Sequence, residues 1–101
     1  MTDKELFEKT IEHYGVKNQI VKSIEEMSEL TKALCKYFEN TDKRMEPIIL
    51  DAIDEEMADV EIMLEQLHLI FNNDEQVASR RKDKIERLDR RIKNVGYIHG
   101  I

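Results

Sequence analysis

Apolar residues recur three and four positions apart through most of this chain, and that spacing constrains the fold more than any other feature. Ile20, Ile24, Met27, Thr31, Leu34 and Phe38 form one stripe, and Leu50, Ile53, Met57, Val60, Leu64, Leu67 and Phe71 a second. A third, Val77, Arg81, Ile85, Leu88, Ile92 and Val95, runs close to a heptad. A period near 3.6 belongs to amphipathic helix and cannot line one face of a strand. The stripes therefore predict helices whose apolar sides pack on one another.

Punctuation supports four of them. The first runs from about Asp3 to Tyr14, with Thr2 or Asp3 as cap and Gly15 as its end. Asn18 is a candidate cap for the second, which should stop near Glu39 because "NTDKRMEP" holds turn formers. Pro47 suits the first turn of the third, where no amide donor is needed. "NND" then breaks the pattern, Asn73 or Asp74 can cap the fourth, and Gly96 can stop it. The apolar tail "YIHGI" is suited to docking on a further surface. With three Gly, one Pro and an abundance of Glu, Lys, Leu, Ile and Arg, the expectation is an all-α, four-helix, bundle-like fold. Residues 1–101 make a single domain. A chain this short buries only about two-thirds of its extended surface, so a partner subunit would help it.

Charge is unevenly spread. The net charge is −6, yet eight basic residues lie between Arg80 and Lys93, while acids concentrate from Glu25 to Glu65. An acidic middle and a basic last helix can attract each other, or jointly hold a ligand that carries both cation and anion. Net acidity argues against general nucleic-acid binding, with the basic helix the one place that could support it. The single Cys35 excludes an internal disulfide, and its place at the edge of an apolar stripe predicts a buried, inert thiol. "MTDKELFEKT" lacks the apolar core of a signal peptide and no apolar run approaches bilayer length, so a cytoplasmic protein with no membrane partner is expected.

Two segments carry chemistry. "EEMSEL" from Glu25 and "EEMADV" from Glu55 each place acids three apart. Glu26 and Glu29 lie roughly 60° apart on one flank of their helix, and Glu56 and Asp59 share that relation on the next. Glu56 falls inside the arc of Ile49, Ala52, Ile53, Val60 and Met63, where an ionised carboxylate needs a partner or a metal. Asp59 borders that arc, whereas Glu55, Glu61 and Glu65 take solvated or edge positions. Met27 and Met57 should belong to the core joining the two helices. If those helices pack antiparallel, four carboxylates converge with no compensating base between them. That is a poor salt-bridge design and a good site for Mg²⁺ or Mn²⁺, which take oxygen ligands. Solvated surface acids are the alternative.

Glu65 and His68 make one Glu-x-x-His, but a di-iron site needs two, and a hydrogen-bonded core histidine is the better account of His68. On the fourth helix Arg80, Lys84, Arg87 and Arg91 form a row, with Asn94 just beyond. The row is either a solvated face paired with Asp83 and Glu86 or, beside an acid–metal site, a grip for a polyphosphate.

"EEMSE" followed by "EEMAD" resembles the EExxE…ExxD signature of the MazG-type, all-alpha nucleoside triphosphate pyrophosphohydrolases, whose relatives include dimeric dUTPases and phosphoribosyl-ATP pyrophosphohydrolase. "YGVKNQIVKSI" and "KIERLDRRI" are similar to the small phage-type members, so most of the chain is covered. The resemblance implies that Glu26, Glu29, Glu56 and Asp59 are the catalytic metal ligands. Glu25 completes the first motif, for a second metal or its waters. It implies cleavage between the α- and β-phosphates, with Mg²⁺ (or Mn²⁺) polarising the phosphates and one carboxylate orienting or deprotonating the attacking water. Gln19 and Tyr14 are then candidates for the nucleoside end, and Lys84, Arg87 and Arg91 for the phosphate tail. With no Trp to stack on a base, the preferred nucleotide stays open.

Family members form dimers or dimers of dimers with sites near the interface, so a homodimer or homotetramer is expected. The third helix agrees, being apolar over nearly half its circumference. The competing class is a non-catalytic helical module binding protein or nucleic acid through the fourth helix. Such a module has no need of Glu56 in an apolar arc. A member that binds nucleotide and metal without turnover is the third possibility.

Overall fold

Thr2 opens the first helix through a reciprocal capping box. Its Oγ1 accepts from the Glu5 amide at 3.1 Å, while Glu5 Oε1 accepts from the Thr2 amide at 3.4 Å. The computed structural model describes residues 1–94 and, among them, is all-helical with no strand. Its helices are α1 (Asp3–Tyr14), α2 (Val16–Glu39), α3 (Glu46–Phe71) and α4 (Asp74–Lys93), with a 3-10 turn, Lys43–Met45, leading into α3. Val95, Gly96 and the "YIHGI" tail lie outside the described residues.

Gly15 alone separates α1 from α2. It takes φ 93°, a region costly for any residue with a Cβ, so the chain turns within one residue. The second helix consequently starts at Val16, before the expected Asn18 cap, and Asn18 Nδ2 donates to the Tyr14 carbonyl at 2.8 Å instead. Asp42 caps the 3-10 turn by accepting from the Arg44 amide at 3.0 Å, and Pro47 occupies the first turn of α3 as expected. At the other end Asn72 adopts a left-handed conformation (φ 47°) that turns the chain toward α4. Asn73 stands at the cap position of α4 without making the side-chain cap bond expected of it.

The helices do not close into a four-helix bundle. α2 and α3 pack along their lengths, α1 lies against both, and α4 packs extensively on none of the others. The radius of gyration, 17.4 Å, reflects this openness, since a compact domain of this size has about 13 Å.

The seam between α2 and α3 is also displaced from the one the stripes predict. On α2 the inward positions are Gln19, Ser23, Glu26, Leu30 and Ala33, and on α3 they are Ile49, Ala52, Glu56, Met63 and Gln66, all buried or half-buried. Each set lies one residue before the apolar stripe, a rotation of about 100°. Small and polar side chains, with Ser23 2% exposed and Ala33 7%, line the α2 side. Ile20, Ile53, Val60 and Leu67 of the predicted core are half-buried, but the rest of it faces outward. Ile24, Met27, Leu34, Met57, Leu64 and Phe71 are exposed, and Phe38 is 86% exposed. Met27 and Met57 therefore do not join the helices as expected, and Cys35 is exposed rather than buried. Among the described residues no helix is long and apolar enough to cross a membrane.

Candidate functional site

Because the seam is turned by one residue, it carries acids. Carboxylate oxygens of Glu26 on α2 and of Glu56 and Asp59 on α3 all lie within 4.8 Å of one another. Antiparallel packing produces this, since Gln19 meets Gln66 near one end while Glu26 meets Glu56 and Asp59 mid-helix. Glu56 is the least comfortable of the three. Its Oε2 is shut off from solvent with no hydrogen-bond partner. Burial, reinforced by Asp59, Glu26, Glu29 and Glu55, pushes its carboxyl above the ordinary range.

One base does enter the cluster, contrary to the expected absence of any. Lys22 Nζ lies 3.0 Å from Glu26 Oε1 and 3.9 Å from Glu25 Oε2. Its hydrogen bond to Glu26 and the charges of Glu26, Glu25 and Asp59 hold the ammonium above its usual value. The signal was legible, since Lys22 and Glu26 are one helical turn apart. Lys22 serves Glu26 and Glu25 but leaves Glu56 Oε2 without a donor.

The donor set suits a hard divalent cation. All three groups offer oxygen, one is orphaned, and their spacing can close around an ion whose bonds to oxygen are about 2.0–2.6 Å. Exposed acids also cluster without an ion, so the orphaned Glu56 oxygen is the more telling feature.

The other expected site residues divide. Glu29 is exposed and stands outside the tight triad, with its Oε1 3.3 Å from Lys32 Nζ. It nevertheless acts electrostatically on Glu56 and lines with it a cleft of about 240 Å³. Glu25 is exposed and lines an open cavity of about 590 Å³ together with Tyr14, Gln19, Lys22 and Gln66. Gln19 is buried there, its Nε2 donating to Gln66 Oε1 at 2.7 Å, while Tyr14 is exposed with its ring edge-on to His13. Glu56 of the triad thus lines the smaller cavity, and Glu25, next to Glu26 in the chain, lines the larger. The larger holds both residues expected at the nucleoside end.

Lys84, Arg87 and Arg91 are not brought to the triad within one chain, because α4 packs extensively on neither α2 nor α3. The helical wheel placed the row correctly along α4 but could not show where α4 goes. His68 is hydrogen-bonded as expected, yet at an edge, with Nδ1 2.7 Å from Asp74 Oδ1 where α3 gives way to α4. Lys32 and Lys36, which no motif singled out, line the smaller cleft with Glu29 and Glu56. Gln66 was likewise passed over, since a glutamine in an acidic helix carries no signal without its partner. No family model, curated protein or solved structure matches the chain.

Proposed function

We propose that this protein is a Mg²⁺-dependent nucleoside triphosphate pyrophosphohydrolase of the MazG type, converting a nucleoside triphosphate and water to a monophosphate and pyrophosphate. The observation that carries the reading is the convergence of carboxylates from Glu26, Glu56 and Asp59, of which Glu56 also keeps a sealed, unpartnered oxygen. No group among the described residues donates to that oxygen, and a bound cation would accept a lone pair from the carboxylate. The motif resemblance and the order of the two acid pairs along the chain point the same way.

Glu26, Glu56 and Asp59 would hold the ion, with Glu29 one turn beyond Glu26 on the open side. The chemistry supplied by such an ion is polarisation of phosphate oxygens and acidification of a bound water. A carboxylate of the cluster takes the proton as the water oxygen bonds to the α-phosphorus, and the bond from that phosphorus to the β-bridging oxygen breaks. Tyr14 and Gln19 line the cavity offered to the nucleoside. The outward-facing Ile24, Met27, Leu34, Phe38, Met57 and Leu64 support assembly as a homodimer or homotetramer, since a soluble monomer rarely leaves so much apolar surface in water.

A second reading, a non-catalytic module that binds protein or nucleic acid through α4, is favoured by one observation. α4 stands apart, and Val77, Ile85 and Leu88 floor a groove rimmed by Arg80, Arg81 and Lys84. Incubating the protein with a panel of ribo- and deoxyribonucleoside triphosphates and Mg²⁺ or Mn²⁺ separates the two. Monophosphate plus pyrophosphate supports the hydrolase. Diphosphate plus phosphate contradicts the proposed bond, and no turnover of any nucleotide overturns the hydrolase.

A further inference from the structure

A triphosphate at the triad needs cations beyond the metal, and the helix expected to supply them lies elsewhere. α4 carries Lys84, Arg87 and Arg91 away from α2 and α3, and Lys22 is already engaged by Glu26 and Glu25. Of the other three lysines on α2, Lys17 lies in the first turn and lines neither cavity, which leaves Lys32 and Lys36. Lys32 and Lys36 are one helical turn apart, and both line the 240 Å³ cleft that also receives Glu29 and the triad's Glu56. We infer that Lys32 and Lys36 form an anion subsite for the phosphates distal to the scissile bond. The inference rests on the pyrophosphohydrolase reading for the identity of its ligand.

Direction and reach favour this placement. Lys32 lies about 9 Å along α2 from Glu26, and Cα–Cβ bonds on a helix tilt toward its N-terminus, here toward the triad. The Lys32 ammonium does lean back, to 3.3 Å from Glu29 Oε1, and Lys36 lines the same cleft. Lys36 sits in the last turn of α2, where the helix carbonyl ends stabilise its ammonium but repel an anion, so a phosphate there depends on that charge. Lys32 is held only by an exposed pair with Glu29, the kind of contact that contributes little and exchanges readily for a phosphate. Among the described residues Lys36 has no ion-pair partner. The cleft floor is apolar, from Ala33, Ile49 and Ala52, so a phosphate seated there meets the ammonium groups against a poorly screening wall. Nucleoside, metal and tail would then lie in order along the α2–α3 groove, with Tyr14 and Gln19 at one end and Lys36 at the other.

The test is calorimetric titration of the full chain with imidodiphosphate at saturating Mn²⁺, a ligand that reports the subsite without turnover. Lys32→Gln/Lys36→Gln should weaken binding about tenfold or more, because two charge-assisted contacts are lost. A charge-matched control, Lys9→Gln/Lys17→Gln, should stay within about twofold, since those exposed lysines line neither site cavity. All four lysines are exposed, and circular dichroism checks that each variant keeps its helices. Equal affinity of wild type and Lys32→Gln/Lys36→Gln overturns the subsite, as does an absence of imidodiphosphate binding by wild type. Lysine-dependent binding by a wild type that hydrolyses no nucleotide overturns the hydrolase reading while the subsite stands.

Discussion

Gln19 and Gln66 offer the sharpest test of how the seam is built. Gln19 Nε2 donates to Gln66 Oε1 at 2.7 Å, and the two residues are 6% and 4% exposed. Gln66→Leu keeps most of the volume but removes the acceptor, leaving an amide N–H against hydrocarbon. An unsatisfied buried polar group costs about 1–3 kcal/mol, while replacing both partners by apolar groups of similar shape is close to neutral. Gln66→Leu should therefore lose about 1–3 kcal/mol. Gln19→Leu should cost a similar amount, because it leaves Gln66 Oε1 without its donor. The double variant should recover most of the loss, giving a coupling energy of about 1–2 kcal/mol. Urea unfolding followed by circular dichroism at one fixed protein concentration measures all four corners of the cycle. If the single losses simply add in the double variant, the two glutamines do not brace the seam as a pair. The same double variant tests Gln19 as a substrate contact. A stable protein with a raised KM for nucleotide supports that role, and an unchanged KM confines Gln19 to packing.

Three further outcomes follow from the same geometry. Glu56 has a raised carboxyl pKa, so its contribution to the stability of the metal-free protein is fully present below its ordinary value of 4.5 and is lost as pH rises through the folded value. Glu56→Gln should therefore raise the Tm of metal-free protein at neutral pH, abolish the Tm increase that Mg²⁺ gives wild type, and abolish turnover. A variant with full activity and an intact Mg²⁺ response would remove Glu56 from the site. Gly15→Ala should destabilise by about 1–2 kcal/mol in denaturant titration through backbone strain alone, because φ is 93° and nothing stands within 4 Å of the added Cβ. Phe38→Ser and Met57→Ser, at side chains 86% and 49% exposed, should lower the association state in sedimentation velocity with little change in helicity. Unaltered sedimentation would place the subunit contact elsewhere.

Helix number, type and most boundaries were legible because they depend on local rules. Thr2 with Glu5, Gly15, Pro47 and the Asn72–Asn73 break act within a turn or two of chain, and α1, α3 and α4 begin where those residues place them. Asn18 misled because a glycine at positive φ can start a helix without a side-chain cap.

Glu56 was also legible, since one carboxylate in an apolar arc is anomalous on any helical wheel, and the structure leaves its Oε2 sealed and unpartnered. What the wheel could not settle was which stripe faces which. Several hydrophobic arcs can satisfy a single helix, and only packing of whole helices selects one. Here α2 and α3 meet along Gln19, Ser23, Glu26 and Ala33 against Glu56, Met63 and Gln66, one residue round from the more apolar stripes. That rotation brings Glu26 to Glu56 and Asp59, leaves Glu29 with Lys32, and turns Phe38 and Met57 outward. The direction of α4 was equally beyond local pattern, because a stripe of Val77, Ile85 and Leu88 specifies a face but not its partner. Local pattern suffices for four helices and the acids they carry. Which of those acids meet depends on the rotation of one helix against another, and that is a property of packed helices alone.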